Sequence, residues 1–323
     1  MSNVMKKQGA PSVSTFGDIG DYYIDTRTDK IYKCVDIRCM PIEYQFVDVW
    51  HHHPDRTEYI WEEPGGGGPV ITDFNRFCYE NARLNDLDRI DTSNGTNFSA
   101  MFYNCSITSI PELDTSNGTD FSYMFEFCSI TSIPELDTSN GTNFRSMFLG
   151  CAHLTSIPEL NTSNGTIFAS MFDGCSSLTS IPELDVSNGT NFSRMFASCN
   201  KLTSIPKLDV LNGTDFSYMF NFCTSLKDLY LYNIRKAIQI GSGTSWGNLL
   251  TVDSLVHTIK ELCKVTTSTT LTMGSANKEK IANLYCKVID DTTEKIEMEL
   301  CESTDEGAMT LEEYAAEKGW TIA

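Results

Sequence analysis

From Asp91 to Leu226 the apolar positions recur on a long period. The repeated phrase is roughly N-G-T-x-F-x-x-M-F-x-x-C-x-x-L-T-S-I-P-E-L-D. Asn-Gly-Thr begins at Asn94, Asn117, Asn140, Asn164, Asn188 and Asn212. The Met-Phe series (Met101 to Met219) and the cysteine series (Cys105 to Cys223) keep the same steps of 23, 23, 24, 24 and 24 residues. A fixed period in this range marks supersecondary units stacked on one another. Within a unit, Phe98, Met101, Phe102 and Cys105 stand at i, i+3, i+4 and i+7, which predicts a short helix with one apolar face. Asn94 or Thr96 is placed to cap it. Gly95 suits a tight turn needing positive φ.

The second element of each unit is Ile-Pro-Glu-Leu, at Ile110, Ile133, Ile157 and Ile181, with Ile-Pro-Lys-Leu at Ile205. It reads as a short strand. Stacked units would set these strands side by side about 4.8 Å apart in a parallel sheet. Proline cannot donate to the ladder, so the sheet is expected to be irregular at that column. One strand and one short helix in 23 or 24 residues fit a leucine-rich-repeat coil. The phrases DTSNGTNFSAMFYNCSITSI and LDVSNGTNFSRMFASCNKLTSI resemble the BspA-type leucine-rich repeats of bacterial surface and phage proteins. They depart from that family at Gly95 and its equivalents, where a small aliphatic residue is usual, and in the Pro-Glu pair.

The flanks read differently. Residues 16–63 alternate Gly-Asp turn signals with aromatic and β-branched runs, which predicts a small β-rich domain. FGDIGDYYIDTRTDKIYKCVDI resembles short elements near the start of phage tail and fibre proteins. EEPGGGGPV reads as a flexible linker. Residues 70–90 are expected to cap the open end of the first repeat, since an uncapped stack exposes core. Beyond Leu226 the predicted elements are helices over 249–263 (apolar Leu255, Ile259 and Leu262) and 275–288, strands in TTLTMG and EKIEMEL, and a helix capped by Thr310 and stopped by Gly319. LTMGSANKEKIANLY paired with CESTDEGAMTLEEYAAEKGWTIA resembles the closing segment of phage-encoded repeat proteins, which implies a cap. The expected fold class is thus α+β: a leucine-rich-repeat solenoid of six repeats with a small N-terminal β domain and an α+β C-terminal cap. The boundaries are 1–63 (attachment domain), 64–69 (linker), 70–233 (repeats with entry cap) and 234–323 (C-terminal cap).

Charge narrows the partners. The chain carries a formal net charge of −19, and the repeat region holds 14 acidic against five basic residues. This argues against nucleic acid and against an anionic membrane surface. No stretch is long enough to span a bilayer, and Lys6 and Lys7 are not followed by the apolar core of a secretion signal.

Candidate chemistry is sparse. There is no G-x-S-x-G, P-loop, H-E-x-x-H or post-strand G-x-G-x-x-G, so no enzyme is expected and no cofactor is called. His51, His52 and His53 cannot all converge on one metal from a strand, because neighbours point to opposite faces. Six of the twelve cysteines fall in one column and are expected to be reduced, buried hydrophobes. Stacked Asn side chains are expected to satisfy backbone groups from turn to turn. Glu112, Glu135, Glu159 and Glu183 form one acidic column, and Asp114, Asp137, Asp185 and Asp209 a second. They read as a solubilising strip, or else as a cation- or base-recruiting surface. Variation between repeats concentrates after Phe and after Met-Phe. There Tyr123, Phe127, Tyr218 and Phe222 place aromatic rings on the expected outer face, and aromatic residues anchor interfaces.

The resemblance implies a binding protein: a phage tail-fibre or receptor-binding component that recognises the bacterial host surface. The alternative is a bacterial surface adhesin or host-interaction protein of the BspA type. The implied partners are a host cell-surface glycan or protein, other virion proteins and, in a homo-oligomer, a second copy of the chain. The implied location is the virion after synthesis in the host cytoplasm, or else the bacterial surface.

Overall fold

The computed structural model describes residues 4–7, 22–25, 30–38, 58–62, 73–75, 92–241, 250–290 and 297–323. The linker at 64–69, most of the entry cap at 70–90, His51 to His53, Cys39 and Cys78 lie outside the described residues. Four strands, β1 (Val4–Lys7), β2 (Tyr22–Asp25), β3 (Lys30–Arg38) and β4 (Glu58–Glu62), form one sheet in the order β1-β2-β3-β4. The β1–β2 pair is parallel and the other two are antiparallel.

Among the described residues the repeats contain no helix. The N–H groups of Phe98, Ala100, Phe102 and Asn104 donate to the carbonyls of Asp120, Ser122, Met124 and Glu126 in the next repeat, at 2.7–2.9 Å. Between them, Met101, Tyr103 and Cys105 donate back to Phe98, Ala100 and Phe102, each at 3.1 Å. Each repeat is therefore a ribbon of linked tight turns whose alternate amides serve its neighbour. A helix would consume all of these amides internally, i to i−4. A two-turn helix is also a poor investment of ordered backbone, because the nucleus is costly and few bonds follow it. The turn ribbon requires left-handed backbone at Ala100 and Asn104 (φ 52° and 54°), and the same two positions are left-handed in later repeats.

The expected apolar face is nevertheless buried. Phe98, Met101, Phe102 and Cys105 are at most 1% exposed. The rings form two columns. Phe74, Phe98, Phe121, Phe144, Phe168, Phe192 and Phe216 stack at centroid separations of 5.3–5.8 Å. Phe102, Phe125, Phe148, Phe172, Phe196 and Phe220 stack at 5.3–6.0 Å. Near-parallel planes at such distances are offset stacks, the favoured arrangement of ring quadrupoles. The first column explains the invariant glycine. Gly95 does not have positive φ; its role is spatial, since an added Cβ would lie 2.8 Å from Phe74 Cε2 and collide with Phe98. The expectation of a φ requirement there is corrected accordingly.

Among the described residues none of the four Ile-Pro-Glu-Leu segments forms the expected strand; only the Ile-Pro-Lys-Leu segment at Ile205 does. β5 (Ser204–Asp209) pairs in parallel with β6 (Asp228–Tyr232), with a register shift between Ile205 and Leu208. The segment facing β5 is DLYLY, which has no proline. Elsewhere a proline in both neighbours removes the shared donor, and the chain is extended without a ladder. Isolated parallel bridges run instead through Asn97, Asp120, Asn143, Ile167, Asn191 and Asp215.

Helix α1 (Val252–Lys260), capped by Thr251 accepting from Ser254 N–H, packs on β6 and closes the last repeat. Two three-stranded sheets follow. One is β12 (Trp320–Ile322), β8 (Thr269–Thr272) and β7 (Ile238–Gln239), all parallel. The other is β10 (Glu297–Cys301), β9 (Tyr285–Asp290) and β11 (Met309–Thr310), antiparallel. The helix expected over 275–288 is split into α2 (Ser275–Ile281) and β9, because Tyr285, Val288 and Ile289 favour the pleat. α3 (Leu311–Glu317) carries a complete capping box, with Thr310 Oγ1 accepting from Glu313 N–H and Glu313 Oε2 accepting from Thr310 N–H. Gly319 ends it at φ 86°.

Candidate binding surface

The two left-handed positions per repeat form two columns along the stack, partly or fully exposed except at Ala100 and Ser146, which are buried. One holds Ala100, Tyr123, Ser146, Ser170, Arg194 and Tyr218; the other holds Asn104, Phe127, Gly150, Gly174, Ser198 and Phe222. The second is rich in Gly, Asn and Ser, the residue types that tolerate this backbone. A bulky side chain here costs about 1–2 kcal/mol of local strain. Yet Tyr123, Phe127, Tyr218 and Phe222 occupy these sites with φ of 57–60°. Phe127, Tyr218 and Phe222 are 48%, 58% and 49% exposed, while Tyr123 is half-buried. The rings sit as two pairs on adjacent columns, four repeat steps or roughly 20 Å apart. They ride on turns, not on the outer face of a helix.

Their surroundings differ. Phe127 meets Tyr103 edge to face at 6.1 Å and lies across Gly150, where any Cβ would strike its ring. Between the pairs, Arg194 Nε donates to Asp173 Oδ2 at 2.8 Å, with the Asp173 side chain 11% exposed. Beside Phe127, burial pushes the Glu126 carboxyl up, and the nearby Arg145 charge opposes the shift. Sequence reasoning missed Tyr103 and the Arg194–Asp173 pair. The available signal was the run of Asn104, Gly150, Gly174 and Ser198 in one column, which points to left-handed backbone.

The acidic columns separate into two kinds. Asp114, Asp137, Asp185 and Asp209 each accept, through Oδ1, the N–H of the residue two further on, at 3.0–3.1 Å. Asn161 does the same for Ser163 at 3.2 Å, so the oxygen is what the turn needs and the charge is incidental. Hydrogen bonds from Ser139 hold the Asp137 carboxyl below its ordinary range. Glu112, Glu135, Glu159 and Glu183 are all exposed. Glu159 and Glu183 border an open groove of about 610 Å³ floored by Leu136 and Leu160. None of the four aromatic residues lines it. Among the described residues no group of three His, Cys, Asp or Glu is placed to hold a metal ion.

The remaining invariant columns are structural. Asn117, Asn140, Asn164, Asn188 and Asn212 donate through Nδ2 to the Ser carbonyl of the preceding turn, at 2.7–2.8 Å. This is the turn-to-turn role expected of them. Cys128, Cys151, Cys175, Cys199 and Cys223 donate to carbonyls of Phe102, Phe125, Phe148, Phe172 and Phe196. All are at most 2% exposed. Burial pushes the Cys151 and Cys223 thiols up to about 12.

A family model described as "Mycoplasma protein of unknown function, DUF285" matches residues 72–179 and 154–243, together just over half of the chain. No curated protein matches the chain. No solved structure matches it either.

Proposed function

The chain belongs to DUF285, a BspA-like repeat family, and on that footing we propose that it is a non-enzymatic binding protein. The stacked turns act as a leucine-rich-repeat solenoid that holds the two left-handed columns rigidly at its surface. The observation that carries this reading is the set of exposed aromatic rings kept in strained backbone. A fold under no demand at these sites would settle on Gly, Asn or Ser, as it does at Gly150, Gly174 and Ser198. The sequence resemblances at both ends favour a phage tail-fibre or receptor-binding component that recognises a bacterial surface glycan or protein. The N-terminal sheet would then attach it to the virion, alongside other virion proteins or a second copy. The alternative is a bacterial surface adhesin or host-interaction protein of the BspA type. Among the described residues no helix is long and apolar enough to cross a membrane.

The test is a pull-down of the purified full chain on panels of bacterial and animal cells, with released sugar and peptide measured in the supernatant. Retention on a strain-restricted set of bacteria, with nothing released, supports the receptor-binding reading. Retention on animal cells or matrix supports the adhesin. Release of cleaved material would refute the non-enzymatic reading.

A further inference from the structure

The six Asn-Gly pairs are chemically hazardous bonds, and the fold treats one of them differently. Asparagine followed by glycine can close on itself. The glycine nitrogen attacks the side-chain Cγ, its proton goes to solvent, the Cγ–Nδ2 bond breaks and ammonia leaves. Water then opens the resulting cyclic imide at either carbonyl, giving aspartate or isoaspartate. The net change is one water in and one ammonia out. Glycine offers least hindrance to this ring closure because it has no side chain.

Two restraints oppose the reaction here. The glycine N–H groups of Gly95, Gly118, Gly141, Gly165 and Gly189 all donate at 2.8 Å to the carbonyl three residues earlier, and Gly213 does so at 3.0 Å. This restraint is common to the column. The second restraint is the side-chain amide. In five repeats it is tied at 2.7–2.8 Å to the serine carbonyl of the turn before, so Cγ cannot swing onto the glycine nitrogen without breaking that bond. Asn94 heads the ladder. Among the described residues its Nδ2 reaches only Ser93 Oγ, at 3.3 Å, and Asn94 is exposed.

We propose that Asn94 is a site of spontaneous deamidation, and that the other five Asn-Gly pairs are protected by the amide ladder. The chain supplies its own control. Asn94 and Asn140 sit in the same octapeptide, Asp-Thr-Ser-Asn-Gly-Thr-Asn-Phe, so sequence cannot distinguish them. The consequence is local to the first turn. Isoaspartate adds a methylene to the main chain immediately before Gly95, which sits tightly against the Phe74 and Phe98 rings. Ageing would therefore loosen the repeat stack from its N-terminal end.

The experiment is to hold the full chain folded at mildly alkaline pH and follow the amide-to-acid conversion at each site by peptide mapping. A parallel sample is held in urea. The expected result is conversion at Asn94 several-fold faster than at Asn140 in the folded chain, with the two rates equal in urea. Equal rates in the folded chain would overturn the proposal. So would a lead for Asn94 that persists in urea, because the difference would then not come from the fold.

Discussion

Phe148→Ala probes the stacked core at its centre. Phe148 is fully buried, with Phe125 at 5.5 Å on one side and Phe172 at 5.6 Å on the other. Losing the burial of a whole phenylalanine side chain costs about 1.5–3 kcal/mol. Each offset-stacked ring contact is worth about 0.5–1.5 kcal/mol more, and two are lost. The sum spans about 2.5–6 kcal/mol and brackets the roughly 3–5 kcal/mol typical of such truncations in packed cores. Phe220 offers the comparison, since it is equally buried but among the described residues has one stacked neighbour, Phe196 at 6.0 Å. Phe220→Ala should therefore cost less, by about one ring contact, or roughly 0.5–1.5 kcal/mol. Urea unfolding of both variants beside the parent measures the difference. A Phe148→Ala loss near zero, or a larger loss for Phe220→Ala, would refute the stacked-column argument.

Three further outcomes follow from the same geometry. Cys151 and Cys223, pushed up to about 12 by burial, should not react with thiol reagents in the folded protein at neutral pH and should react once it is unfolded; rapid native labelling of either would contradict their placement. Gly141→Ala should cost about 3 kcal/mol, because its Cβ would press on Phe144 and come within 2.9 Å of the Thr138 carbonyl. Gly174→Ala should cost only about 1–2 kcal/mol, since φ is 78° but the nearest atom is Gly150 Cα at 3.4 Å; the reverse ranking in thermal unfolding would sink this account of the two columns. Hydrogen bonds from Thr310 hold the Glu313 carboxyl below its ordinary range, so its contribution is present above the unfolded value of roughly 4.3 and disappears as pH falls through the lower folded value. Stability of Glu313→Gln should fall less steeply in acid than that of the parent, and superimposable pH profiles would show that the capping box contributes nothing.

The sequence showed plainly which side chains of each repeat are buried and hid how the backbone buries them. Phe98, Met101, Phe102 and Cys105 have helical spacing, and all four are inside. The same spacing is satisfied by linked turns, and what separates the two conformations is the destination of the N–H groups. That destination is the next repeat, 22 residues on for Phe98 to Asp120, which no local window can see. Gly95 was legible as special but for the wrong cause, because crowding against a ring column needs the stack to exist first. The proline column was legible as an irregularity, but the parallel sheet expected around it forms, among the described residues, only where β5 meets DLYLY, which has no proline. At the candidate surface, the aromatic positions were found by comparing repeats. Their left-handed backbone was not, although Gly150 and Gly174 in the same column carried the signal.

The measurement that bears most directly on the binding surface is the cell-binding isotherm of the quadruple variant Tyr123→Ser, Phe127→Ser, Tyr218→Ser and Phe222→Ser, set beside the parent chain and beside its thermal unfolding curve. Serine already occupies the left-handed columns at Ser146, Ser170 and Ser198, so the fold should be retained. The account predicts an unfolding transition no lower than the parent's, with cell binding abolished. A variant that unfolds like the parent and binds like the parent would contradict it, and would move the binding surface away from these columns.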